Sequence, residues 1–114
     1  MSENNNSVQP LKQADFEHSV LESKAPTVVD FYADWCGPCK VVSPVIESLS
    51  QEYNGRVSFV KVDTDANQNL AMRYNIMSIP TVIIFRGGKI VDKIIGAVPA
   101  QVYRQKIDAA LGAA

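Results

Sequence analysis

With 114 residues, 46% of them hydrophobic and 20% charged, the chain has the makeup of one globular domain. Eleven Lys and Arg against twelve Asp and Glu leave a net charge of −1, which excludes broad phosphate binding and any nucleic-acid partner. No apolar run reaches the roughly 20 residues of a membrane-spanning helix, so no membrane partner is expected.

Residues 1–6 are polar and are expected to form a disordered tail ahead of a single domain over 7–114. The opening segment has neither an apolar signal core nor transit-peptide character, which points to a cytoplasmic protein. Residues 8–11 predict a short strand, confined by Pro10 to a sheet edge. A helix is predicted over 14–22, where Phe16 and Val20 lie one turn apart. Residues 27–33 are β-branched and aromatic with almost no polar break, the pattern of a central strand covered on both faces. Val42, Val45, Ile46, Leu49 and Tyr53 then recur at helical spacing until Asn54 and Gly55 end the helix. A buried strand over 56–62, a short helix over 66–74 and a strand over 81–85 follow. Gly87 and Gly88 form the two-residue loop of a tight hairpin, so 89–95 pairs antiparallel with the preceding strand. A last helix opens near Pro99 with Tyr103, Ile107, Ala110 and Leu111 on its apolar stripe. The order βαβαβαββα predicts an α/β fold. Strands separated by helices pair parallel, the hairpin adds an antiparallel edge, and helices cover both faces of the mixed sheet.

Both cysteines lie in one short segment, Cys36-Gly37-Pro38-Cys39. A bridge enclosing two residues restrains little of the unfolded chain, so the pair reads as chemistry and not as a staple. Structural zinc wants four Cys or His ligands, and the one histidine, His18, lies far upstream on a solvated helix face. No metal is expected. The pair falls where a strand ending near Ala33 meets a helix beginning around Pro38. Residues three apart on a first helical turn are neighbours, about 5–6 Å between Cβ atoms, within reach of a disulfide. At the helix N-terminus, unpaired N–H groups and the dipole favour a Cys36 thiolate, the nucleophile of disulfide exchange. Cys39, one turn inside, is expected to be shielded and better suited to the resolving step. Pro38 stiffens the loop between them.

Three further residues have open readings on composition and spacing. Asp30 breaks an apolar strand and is either a costly buried carboxylate or a locally exposed one. Lys61 interrupts another strand and either faces Asp30 or extends its head to the surface. Pro80 heads a strand, a position where proline is ordinarily tolerated.

The segment from Trp35 to Lys40, following Val29 to Ala33, resembles the active-site segment of the thioredoxin family. The likeness runs from about Leu11 to Leu111 and includes Pro44, Lys61, Ile79-Pro80-Thr81 and Gly96. It implies a thiol-disulfide oxidoreductase that reduces protein disulfides through Cys36 and Cys39. No cofactor beyond that redox-active disulfide is implied, and an external thioredoxin reductase recycles a monomeric protein. Asp30 is implied as the proton acceptor that activates Cys39, with Lys61 tuning it. Ile79-Pro80 is implied as a cis-proline turn whose backbone pairs with an extended substrate. Trp35, Gly37, Pro38 and Gly96 complete a shallow apolar groove. Tyr32, where tryptophan is common, and Ser78, where glycine is common, depart from the pattern without touching the chemistry. A disulfide isomerase or thiol oxidant on the same fold is disfavoured, because such relatives usually carry His within the motif. A glutaredoxin is disfavoured for lack of Tyr after the motif proline. A thioredoxin-fold binding subunit of a larger assembly is the alternative from another class, and an intact cysteine pair with Asp30 argues against it.

Overall fold

The structure is a computed structural model that describes residues 8–112, so the tail expected over 1–6 lies outside the described residues. Its elements are β1 (Gln9–Pro10), β2 (Thr27–Tyr32), α1 (Gly37–Glu52), β3 (Ser58–Asp63), α2 (Gln68–Arg73), β4 (Thr81–Arg86), β5 (Lys89–Ile95) and α3 (Ala100–Gly112). The five strands form one sheet in the order β1-β3-β2-β4-β5, which puts β2 in the middle and the Pro10-bearing strand at an edge. Residues 27–31 are buried without exception, because β2 is covered on both faces.

Alternation along the strands sorts side chains into two cores. Val28, Val82, Ile84 and Ile94 meet Val42, Ile46 and Leu49 of α1 and Tyr103 and Ile107 of α3. Val29, Phe31, Ile83 and Phe85 meet Phe16, Val20 and Leu70 on the opposite face. Each fully buried side chain of this size is worth about 1.5–3 kcal/mol, so the two layers hold the sheet in place.

Two expectations need correction. The predicted helix over 14–22 is a 3-10 turn (Gln13–Asp15) followed by a π-helical turn (Glu17–Leu21), in which the Glu22 N–H reaches the Glu17 carbonyl at 2.9 Å. The wider turn still lets Phe16 and Val20 enter one core, each 1% exposed. Burial decides here, not the regular 3.6-residue period. Parallel pairing also fails to extend to β4, which runs antiparallel to β2, whereas β3 is parallel to both β1 and β2. The strands flanking α2 are β3 and β4, and these do not pair with each other. The rule that links a crossover helix to parallel strands therefore does not bind them.

The hairpin forms as its glycines predict. Gly87 and Gly88 have φ of 61° and 79°, the left-handed values of a type I′ turn. A Cβ on Gly88 would also stand 3.1 Å from the Leu21 carbonyl oxygen, so the turn packs against the π-helical segment.

Candidate active site

Helix α1 sets the geometry of the cysteines. Its buried stripe runs Cys39, Val42, Ile46, Leu49, at helical spacings of three and four. Cys39 is therefore the first member of the row that packs on the sheet. Cys36 is the N-cap, with extended backbone, and its Sγ accepts a hydrogen bond from the Cys39 N–H at 3.2 Å. The two residues form a disulfide with Cα atoms 5.3 Å apart. Both are buried, at 4% and 5% exposure, so place and not burial distinguishes them. Gly37 and Pro38, in the first turn of α1, are exposed beside them.

Across from Cys36 lies the segment before β4. Cys36 Sγ stands 3.7 Å from the Ile79 carbonyl oxygen, and the Ile79–Pro80 peptide bond is cis. The Gly96 N–H donates to the Pro80 carbonyl at 2.8 Å, with Gly96 at a φ of 86°. Beside this edge is an open cleft of about 320 Å³ between Trp35, Thr64, Ile76, Met77, Ser78 and Ile79. Trp35 is 70% exposed and donates from Nε1 to Asp65 Oδ2 at 2.8 Å, which fixes a large apolar ring on the rim. Met77 is 86% exposed on the same cleft. Sequence reasoning had no reason to single out Asp65 or Met77. The signal for the former is a carboxylate just past the C-terminal end of a parallel strand.

Asp30 shares the sheet face of Val28. Strand pairing sets it in a row with Lys61 on one side and Val82 on the other, and Val82 in turn pairs with Ile94. The reading of Asp30 as a locally exposed residue fails, since it is 4% exposed. Its Oδ1 has no hydrogen-bond partner among the described residues. Burial, opposed in part by the Lys61 charge, pushes its carboxyl up from the ordinary 3.8 to about 6. Lys61 is half-buried, with Nζ 5.8 Å from the centre of the Tyr32 ring. A recess of about 210 Å³ joins Asp30, Lys61 and Cys39, with Tyr32, Asp34 and Ser43 also on its wall. The structure thus brings Asp30 and Lys61 into one recess with Cys39, and Trp35 and Ile79 onto one cleft, with the Ile79 carbonyl beside Cys36.

Among the described residues there is no group of three or more His, Cys, Asp or Glu able to hold a metal ion, and no helix long and apolar enough to cross a membrane.

Comparison with known proteins matches residues 7–109 to the thioredoxin family model. The chain is 52% identical to a thioredoxin of a Synechocystis species over 89 residues, covering 78% of this chain and 83% of that one. It is 47% identical to thioredoxin 1 of a Nostoc species over 98 residues, 86% and 92% of the two chains. Against the chloroplastic thioredoxin M4 of Arabidopsis thaliana it is 44% identical over 101 residues, 89% of this chain and 52% of that longer one.

Proposed function

This chain belongs to the thioredoxin family and is a protein-disulfide reductase, in which we propose that Cys36 attacks and Cys39 resolves. The observation that supports these roles is the position of Cys36 Sγ, at a helix N-terminus and beside the carbonyl of Ile79, a residue that lines an open cleft. In the reduced protein the helix terminus stabilises the Cys36 thiolate. That thiolate attacks one sulfur of a substrate disulfide, forming a mixed disulfide and expelling the other sulfur as a thiolate. Asp30 then takes the Cys39 proton through the recess they share. The Cys39 thiolate attacks Cys36 Sγ and releases the second substrate sulfur. The substrate gains two electrons, and the Cys36–Cys39 disulfide forms. A thioredoxin reductase returns two electrons and two protons.

Lys61 biases Asp30 toward the ionised form that accepts the proton. The backbone of Ile79 pairs with an extended substrate strand, with Pro80 and Gly96 shaping the edge it meets and Trp35, Gly37 and Pro38 offering exposed apolar surface beside it. The protein acts as a monomer, since the cleft beside the disulfide must stay open to its substrates. It works in the cytoplasm, where the reducing poise keeps such a dithiol charged with electrons.

Reduction of insulin disulfides, followed with the dithiol regenerated chemically, tests the assignment. Cys36→Ser should abolish the activity, and Cys39→Ser should accumulate mixed disulfides on Cys36. Mixed disulfides that instead collect on Cys39 in Cys36→Ser, with none on Cys36 in Cys39→Ser, would reverse the two roles.

A further inference from the structure

The core between the sheet and the helices α1 and α3 contains two buried polar atoms whose hydrogen-bonding needs the described residues leave unmet. Asp30 Oδ1 and the Tyr103 hydroxyl are both buried, in residues 4% and 1% exposed, and neither has a hydrogen-bond partner among the described residues. Both face the same layer. Asp30 stands in the row with Val82 and Ile94, and those two side chains belong to the cluster that encloses Tyr103. Tyr103 sits on the buried stripe of α3 with Ile107 and Ala110, where an aliphatic side chain would fill the space without a polar atom. A buried hydroxyl without a partner costs about 1–3 kcal/mol. Two such demands in one apolar layer, one a donor and the other an acceptor, are met together by a single bridging water.

Electrostatics agrees with this placement. Burial raises the Tyr103 hydroxyl above its ordinary range. The Val98 backbone N–H lowers it again, and the charge of Asp30 adds a smaller rise. The carboxylate and the hydroxyl are therefore within electrostatic reach of one another.

We propose that Tyr103 is a positioning residue for the reaction: its hydroxyl donates a hydrogen bond through one bridging water to the ionised Asp30 carboxylate and holds it ready to accept the Cys39 proton. When Asp30 is neutral the direction reverses, and the carboxyl donates through the same water to the Tyr103 oxygen. A hydrogen bond to the charged form is the stronger of the two, so the hydroxyl favours ionised Asp30. The other groups around Asp30 are Lys61 from β3, Cys39, Lys40 and Ser43 from α1, and Tyr32 and Asp34 at and beyond the end of β2. The β4 neighbour is the apolar Val82. Lys61 and Tyr103 thus act on the same carboxylate in the same direction, the one by charge and the other by hydrogen bond. The inference rests on the proposed base role of Asp30 only for its kinetic consequence, and the bond itself can be read without it.

Tyr103→Phe keeps the ring and removes the donor. In the oxidised protein, carboxyl carbon NMR should show the Asp30 midpoint rising by about one pH unit, with little change in the urea midpoint. The pH profile for resolution of the mixed disulfide should move to higher pH by the same amount, slowing that step about three-fold near pH 6.5, while attack by Cys36 is unchanged. Tyr103→Leu should behave like the Phe variant in midpoint. An Asp30 midpoint equal to that of the wild type in Tyr103→Phe overturns the inference. Should that variant not fold, the wild-type protein decides: the Tyr103 ring carbon that bears the hydroxyl should titrate with the Asp30 midpoint, and a resonance that ignores that titration overturns the inference equally. Wild-type resolution kinetics in Asp30→Asn would remove the base role and leave the midpoint result intact.

Discussion

Replacing Asp30 by Asn keeps the shape of the side chain and removes its charge, which separates what the carboxylate costs the fold from what it contributes to the reaction. Burial holds the Asp30 carboxyl at about 6 in the folded protein against an ordinary 3.8, after the opposing pull of Lys61. A pKa that is higher in the folded than in the unfolded chain means that ionisation weakens the fold. The penalty is absent below 3.8, grows as pH rises toward about 6, and is complete above that. At about 1.4 kcal/mol per pH unit the full penalty is about 3 kcal/mol. That is the size of one well-buried aliphatic side chain, about 1.5–3 kcal/mol, which two packed cores absorb. Asp30→Asn should therefore stabilise the oxidised protein by up to about 3 kcal/mol at neutral pH and above, with the gain gone in acid. Urea melts of both proteins in steps from about pH 3 to about pH 8 read the difference directly. Single-turnover kinetics on the same variant should show slower resolution of the mixed disulfide and a smaller change in the attack by Cys36. A stability difference that is flat across pH, or a variant less stable than wild type at the alkaline end, would refute the reasoning.

Lys61→Met retains the apolar stem and removes the charge that lowers the Asp30 carboxyl. The Asp30 midpoint should rise above that of the wild type in carboxyl carbon NMR, and an unmoved midpoint would show that Lys61 does not tune it. Trp35→Ala removes the exposed ring that Asp65 holds on the rim of the cleft. Its kcat/KM should fall about ten-fold on a protein disulfide and stay within about two-fold on a small-molecule disulfide. Equal losses on both would place Trp35 in the chemistry and not in substrate contact.

Much of the molecule was legible along the chain, because local physical chemistry decides it. The β-branched run over 27–33 can bury both faces only as a central strand, and β2 is that strand. Gly87 and Gly88 admit the left-handed φ values that a two-residue hairpin loop requires, and β5 forms over the predicted residues. The stripe of α1 extends back to Cys39, which makes the placement of the second cysteine a matter of helical period. What the sequence left open depended on partners remote in the chain. The segment around Phe16 and Val20 gives up regular helix to fit both side chains into one core. The direction of β4 follows from its pairing with β2, fifty or more residues away in the chain. Whether Asp30 was buried, and whether Lys61 faced it, turned on strand register, which only the assembled sheet sets. Tyr103 read as one more apolar residue on a helix stripe, because a period locates a side chain on a face without saying what its far end will meet. Only the packing of α3 on the sheet placed that hydroxyl in the same layer as a buried carboxylate, where a polar atom in low dielectric cannot be neutral in its effect.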